Sequence, residues 1–191
     1  LTQCNTFTEK KREIFMNKPF SDEYPPLRYF ANYIEKVETE DLIEALTNQR
    51  TEVETFYKTL TDETAAYRYA PGKWSLKELL GHLADAERIF AYRALCIARG
   101  ETQPLPGFDE NTYVENARFD ELPLASLWEQ YHTTRLATLA LARSLPQDAQ
   151  RRRGNANGHE VSARALFAII AGHERHHLEI IEERYKQGLK D

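Results

Sequence analysis

Three histidines carry the chemistry that this sequence allows. His173 and His177 stand four residues apart in the stretch AGHERHHLEII. On a helix that spacing puts both imidazoles on one face, one turn apart. The same face carries Leu166, Ile169, Ile170, Ile180, Ile181 and Arg184 at helical spacing, so the pair points inward. An inward pair at i, i+4 has a metal-ligand spacing, and two core histidines bonded to side chains or backbone fit it about as well. His82 tips the balance. It lies near a second inward stripe, with Leu79, Leu83, Ala86, Ile89, Phe90 and Arg93. If the two helices are neighbours, three imidazoles meet inside the protein. Three neutral nitrogen ligands leave a position for water or substrate, which is the pattern of a catalytic site rather than a structural one. An ion held without a carboxylate keeps its full charge and would acidify a bound water or thiol. Glu78, one turn before His82, and Asp85, three residues after it, are the candidates to accept the second imidazole N–H. Each also has a plainer role. Glu78 completes a capping box with Ser75, and Asp85, like Glu87, suits a surface or inter-helix salt bridge. His176 points about 100° away from His177 and is read as lying behind the ligands or exposed. His132 and His159 have no spaced partner and are read as surface, packing or loop residues.

The elements that must position these side chains are four long helices, near residues 40–60, 75–99, 124–145 and 161–186. Thr39 with Glu40 and Asp41 opens the first. Ser75 and Glu78 open the second, and Gly100 closes it. Pro146 ends the third. Residues 27–37 fit a short extra helix carrying Tyr29, Phe30, Tyr33 and Ile34. Residues 101–123 form a long connection whose prolines, Gly107 and Asp109-Glu110-Asn111 oppose a continuous helix. Loops of this length are functional or cross from one end of a fold to the other. Residues 147–160 read as a polar loop. Four amphipathic helices and no alternating strand run predict an all-α bundle.

The chain has 191 residues and a formal net charge of -5. That length gives one domain with a sizeable core. The charge argues against nucleic acid as the main partner, and no apolar run reaches the roughly 20 residues of a membrane span. The one dense basic run, Arg151-Arg152-Arg153, reads as a solvated loop. Cys4 and Cys96 make no disulfide framework, so a reducing cytoplasm is the expected location. Residue 1 is leucine and the sole methionine is Met16. Either a non-standard start or a true start at Met16 accounts for this, and residues 1–15 lack the apolar core of a signal peptide. Residues 1–25 are therefore expected to form a peripheral arm, 26–188 the bundle and 189–191 a tail.

The segments PGKWSLKELLGHLADAERIFAYR, LPGFDENTY and AGHERHHLEII, in this order and separation, resemble the DinB-like superfamily. The resemblance rests on Trp74, Ser75, Glu78 and His82, and on the later His173 and His177. It covers nearly the whole domain. It implies an up-down-down-up four-helix bundle in which His82, His173 and His177 hold a divalent metal, nickel or zinc. It also implies a small-molecule substrate, a low-molecular-weight thiol as a possible cosubstrate, and a homodimer. The function to expect is then a thiol-S-transferase or a hydrolase. The other class is a non-catalytic metal-binding or stress-response module. An open coordination position under a cleft separates the enzyme from the module.

Overall fold

The structure is a computed structural model that describes residues 15–189. It contains α1 (Arg28–Glu35), α2 (Leu42–Tyr57), α3 (Asp62–Ala65), α4 (Leu76–Ala98), α5 (Glu110–Ala117), α6 (Leu124–Ser144) and α7 (Gln147–Gln150). A hairpin of β1 (Arg153–Ala156) and β2 (His159–Ser162) follows, then α8 (Ala163–Ile180), a π-helical turn (Ile181–Tyr185) and α9 (Lys186–Gly188). The long helices α2, α4, α6 and α8 make a four-helix bundle. Both α2 and α4 pack on α6 and α8, so α2 and α4 face each other across the diagonal. Gln49 on α2 donates to the carbonyl of Ala171 on α8, and Arg175 on α8 pairs with Glu52 on α2, so these two helices run parallel. Lys77 near the start of α4 donates to Leu122 just before α6, and Arg152 just after α6 and α7 donates to Ala98 at the end of α4. Those two run parallel as well, opposite to α2 and α8. The topology is up-down-down-up, and residues 101–123 carry the chain back along the bundle between α4 and α6.

The helices α2, α4 and α8 begin where a capping side chain satisfies free backbone N–H groups. Asp41 caps α2 by accepting from Ile43, and Ser162 caps α8 by accepting from Ala165. Ser75 and Glu78 form the reciprocal capping box at α4. The apolar core falls into two clusters at opposite ends of the bundle. Between them lies a belt of buried polar groups. Its centre is Arg135 of α6, which is fully buried. All five of its N–H groups are satisfied: Nε and Nη2 by Glu87 of α4, Nη1 and Nη2 by Glu174 of α8, and Nη1 by the Leu46 carbonyl of α2. Tyr131 adds a bond to Glu174 at 2.8 Å. One guanidinium therefore ties together all four helices. The two carboxylates keep Arg135 firmly protonated against its burial, while burial raises the Glu174 carboxyl.

Three segments differ from the sequence expectation. The expected arm is not peripheral over residues 16–24. Met16 is fully buried beside α2, and Glu23 is buried in an ion pair with Arg164. An apolar side chain and a paired carboxylate both gain by docking there. Residues 1–14, and the last two residues of the expected tail, lie outside the described residues. The long connection holds a helix of its own, α5, capped by Asp109. The polar loop holds α7 and the β1–β2 hairpin, whose two-residue turn is Asn157-Gly158 with φ of 53° and 80°. Those positive angles suit a primed hairpin turn. Among the described residues, no helix is long and apolar enough to cross a membrane.

Candidate metal centre

His82 sits in the second turn of α4, and His173 and His177 lie in the last three turns of α8. These helices are antiparallel neighbours, which brings the three rings together between the two core clusters. The Nε2 of His173 lies 3.1 Å from Nε2 of His82 and 3.2 Å from Nε2 of His177. The rings are 4%, 7% and 9% exposed for His82, His173 and His177. Burial pushes the pKa of His82 down to about 4. Burial, then the neighbouring imidazoles, holds His173 and His177 well below the ordinary histidine value. All three are therefore neutral at pH 7 and offer nitrogen lone pairs.

Three nitrogens this close do not satisfy one another. A neutral imidazole has one N–H, so His173 Nε2 either donates to one neighbour and crowds the other, or accepts from both with one lone pair. A divalent cation accepts all three lone pairs at once. Two nitrogens each about 2.0–2.1 Å from a common ion lie roughly 2.9–3.4 Å apart at angles between octahedral and tetrahedral. The observed spacings fall in that range. The Nδ1 of His177 is buried and without a hydrogen-bond partner among the described residues, so this ring lacks the acceptor that ordinarily orients a ligating imidazole.

The start of α4 is clamped, which fixes His82. Tyr57 donates to the Leu76 carbonyl at 3.0 Å, and Tyr185 in the π turn donates to the Trp74 carbonyl at 2.7 Å. Trp74 then lies over His82, with ring centres 4.6 Å apart. On the other flank, α1 seats directly on α8 at Gly172, where a Cβ would come within 1.8 Å of the Tyr33 carbonyl oxygen. That contact places the Tyr33 ring edge-on to His173 at 5.5 Å.

The three histidines form one end of a cleft of about 260 Å³. Its walls are α1, Phe90 and Arg93 of α4, Phe108 of the long connection, and Asn157 at the hairpin tip. The connection and the hairpin are bonded to each other through Leu105, which donates to Asn155 and accepts from Asn157. A larger groove of about 780 Å³ runs between α2 and the C-terminal segment, but Thr51, Phe56, Leu178 and Lys186 line it and no histidine does. The convergent chemistry, rather than size, marks the smaller cleft as the site.

Of the residues singled out from sequence, His82, His173 and His177 come together. Glu78 and Asp85 do not join them. Glu78 accepts from the Ser75 N–H at 2.8 Å and pairs with Arg68, so the cap takes its carboxylate. Asp85 is bonded by Arg88 at 2.8 Å. Glu87 makes the inter-helix salt bridge, with Arg135. His176 is half-buried against Tyr33 and beside His177, outside the convergent set. His132 packs on Trp128, and His159 lies on β2 against Phe30. Arg151 stacks on Phe20, Arg152 bonds Asp148, and Arg153 pairs with Asp22 and Glu160. Sequence reasoning gave no part to Arg135. Its signal was present in the stripe Leu127, Tyr131, Arg135, Leu139, where a cation interrupts an apolar series spaced by four.

The fold agrees with what the chain is similar to. A protein of Oceanobacillus iheyensis, described as a candidate metal-dependent hydrolase, is 28% identical over 152 residues, covering 75% of this chain and 85% of its own. YfiT from Bacillus subtilis, a candidate metal-dependent hydrolase with an unusual four-helix-bundle topology, superposes with a TM-score of 0.65 at 19% identity, over 88% of this chain and 94% of its own. The mycothiol-dependent maleylpyruvate isomerase superposes at 0.60 with 16% identity, over 75% of this chain and 60% of that one. At such identities the structural likeness speaks for the fold alone. The model of the DinB superfamily matches residues 45–181, most of the chain and both histidine-bearing helices, and the chain belongs to that superfamily.

Proposed function

We propose that this protein is a divalent-metal-dependent enzyme in which His82, His173 and His177 hold one ion, nickel or zinc, that activates a small nucleophile in the adjoining cleft. One observation carries the reading: three neutral Nε2 atoms converge in a cleft walled by α1, α4, the long connection and the hairpin tip. A bound divalent ion lowers the pKa of a water or thiol that reaches it. The chain's own residues do the rest. The buried Arg135 node holds the histidine-bearing helices at fixed separation. Trp74, Tyr33 and Phe90 wall the imidazoles and keep bulk water from them. Three protein ligands leave a position on the cleft side for substrate, which favours an enzyme over a sealed metal-holding module.

Water as the nucleophile makes the protein a hydrolase, the description borne by the Oceanobacillus and Bacillus proteins. A low-molecular-weight thiol makes it a thiol-S-transferase, and the thiol dependence of the structurally similar isomerase supports including that arm. The test is metal analysis of purified protein, then ester and amide hydrolysis panels and a thiol–electrophile conjugation panel, each with and without chelator. One ion per chain and turnover that disappears with chelator and returns with metal are expected. A full metal complement with no chelator-sensitive turnover in any panel would favour the non-catalytic module.

A further inference from the structure

Among the described residues three arginines are buried, and two of them are neutralised by carboxylates: Arg135 by Glu87 and Glu174, Arg164 by Glu23. Arg93 is the exception. It is 5% exposed, lies on α4 three turns beyond His82, and lines the same cleft as the histidines. Among the described residues no carboxylate lies within ion-pair distance of it. Its one hydrogen bond among those residues runs from Nη2 to the Pro106 carbonyl. Its guanidinium lies against two aromatic rings, 5.5 Å from the centre of Phe90 and 5.7 Å from that of Phe108. The bond to Pro106 anchors the long connection and accounts for one N–H of five. A buried cation without an anion is costly, and the aromatic faces offset only part of that cost. The remaining donors belong to a fork that fits a carboxylate bidentately.

The position relative to the histidines gives this meaning. Phe90 stands between the two, its ring centre 6.3 Å from His173 and 5.5 Å from the Arg93 guanidinium carbon. A molecule lying over Phe90 can therefore present one end to the histidines and the other to Arg93. We propose that the substrate, or the thiol cosubstrate, carries a carboxylate that Arg93 binds while its reacting end lies at the three histidines. The chain's net charge of -5 and the Glu110 carboxylate on the same cleft both disfavour anions, so a preference for them must arise at this cation. The inference rests on the proposal that the histidines hold an ion.

The test uses cobalt(II)-loaded protein and two thiols of equal length, 6-mercaptohexanoate and 6-mercapto-1-hexanol. Thiolate-to-cobalt absorption reports binding without any turnover. Wild type should bind the carboxylate at least about tenfold more tightly than the alcohol, as a charge-assisted hydrogen bond warrants. Arg93→Met should lose most of that preference while keeping its affinity for mercaptohexanol. Arg93→Lys, which keeps the charge without the fork, should retain part of it, and it serves alone if the methionine variant fails to fold. Absence of a preference in wild type, or the same preference in every Arg93 variant that folds, would overturn the carboxylate assignment while leaving the metal site standing. Failure of wild type to take up cobalt would overturn the metal-site reading and the carboxylate assignment with it, whereas cobalt uptake without thiolate absorption from either thiol would overturn the carboxylate assignment alone.

Discussion

Replacing His173 by alanine is the sharpest perturbation of the candidate centre. Its Nε2 is the atom that both other imidazoles approach, at 3.1 and 3.2 Å, so no pair of the remaining rings can reproduce the geometry. Four-ligand zinc sites in peptides bind with about 10–16 kcal/mol, or roughly 3 kcal/mol per ligand. Loss of one ligand should therefore weaken binding by about two orders of magnitude. The fold should survive. The histidine lies between two apolar clusters that are complete without it, and the Arg135 node beside it is intact. The assay is metal stoichiometry after dialysis against a weak chelator, paired with a thermal melt of the metal-free protein. His82→Ala and His177→Ala should lose metal likewise. His176→Ala should keep it, because that ring touches Tyr33 and His177 but stands outside the convergent nitrogens. Equal metal retention in all four variants would refute the triad.

Arg135→Met leaves Glu87 and Glu174 buried without their cation and should cost about 3–5 kcal/mol in urea unfolding; a loss below about 1 kcal/mol would refute the role given to the node. Gly172→Ala drives a methyl into the Tyr33 backbone carbonyl, so α1 must shift and stability should fall by about 1–3 kcal/mol with metal content retained; an unchanged melting temperature would contradict the close seating of α1 on α8. The metal-free protein should lose stability on acidification. His82 has a folded pKa of about 4 against an ordinary value of about 6.5, so between those values the unfolded chain binds more protons. Stability is then intact above pH about 6.5 and falls as pH drops toward 4, by about 3 kcal/mol from this residue, with His173 and His177 acting in the same direction. Urea midpoints that stay flat from pH 7.5 to 5 would show that these rings are not held neutral.

What the sequence made legible follows from which interactions are local. Helical period and capping residues are local, and α2, α4, α6 and α8 lie within a few residues of the expected spans. His173 and His177 declare a shared face through their spacing alone. The β1–β2 hairpin was legible only through Asn157-Gly158, a strong turn signal, because strands reading Arg-Gly-Asn-Ala and His-Glu-Val-Ser carry too little apolar alternation to announce themselves. The roles of Glu78 and Asp85 depended on competition. A carboxylate three residues into a helix serves the cap before it serves a distant imidazole, and Arg88 lies one turn from Asp85. The pairing of Arg135 with Glu87 and Glu174 joins residues 48 and 39 positions apart, so it required the packing itself. Burial of Glu23 likewise depends on a partner, Arg164, 141 residues away.

The centre and its cleft are built from different parts of the chain, and the physical roles divide along the same line. The histidines project from α4 and α8, which the fully satisfied Arg135 node holds to α2 and α6. A buried network of this kind has two costly alternatives, an unpaired guanidinium or an unpaired carboxylate, so it permits little relative motion of the helices it joins. The arrangement of the three nitrogens thus belongs to the rigid bundle. The opposite wall of the cleft comes from segments outside the bundle: α1 seated at Gly172, the connection at Phe108, and the hairpin tip at Asn157. Near the cleft, Leu105 ties the connection to the hairpin and Arg93 ties it to α4 through Pro106. Changes there can reshape what enters the cleft without moving the three nitrogens. Arg93 belongs to both sets, since its backbone lies on α4 and its guanidinium supports the connection. It is therefore the residue through which an anion in the cleft would bear on the position of the wall above the histidines.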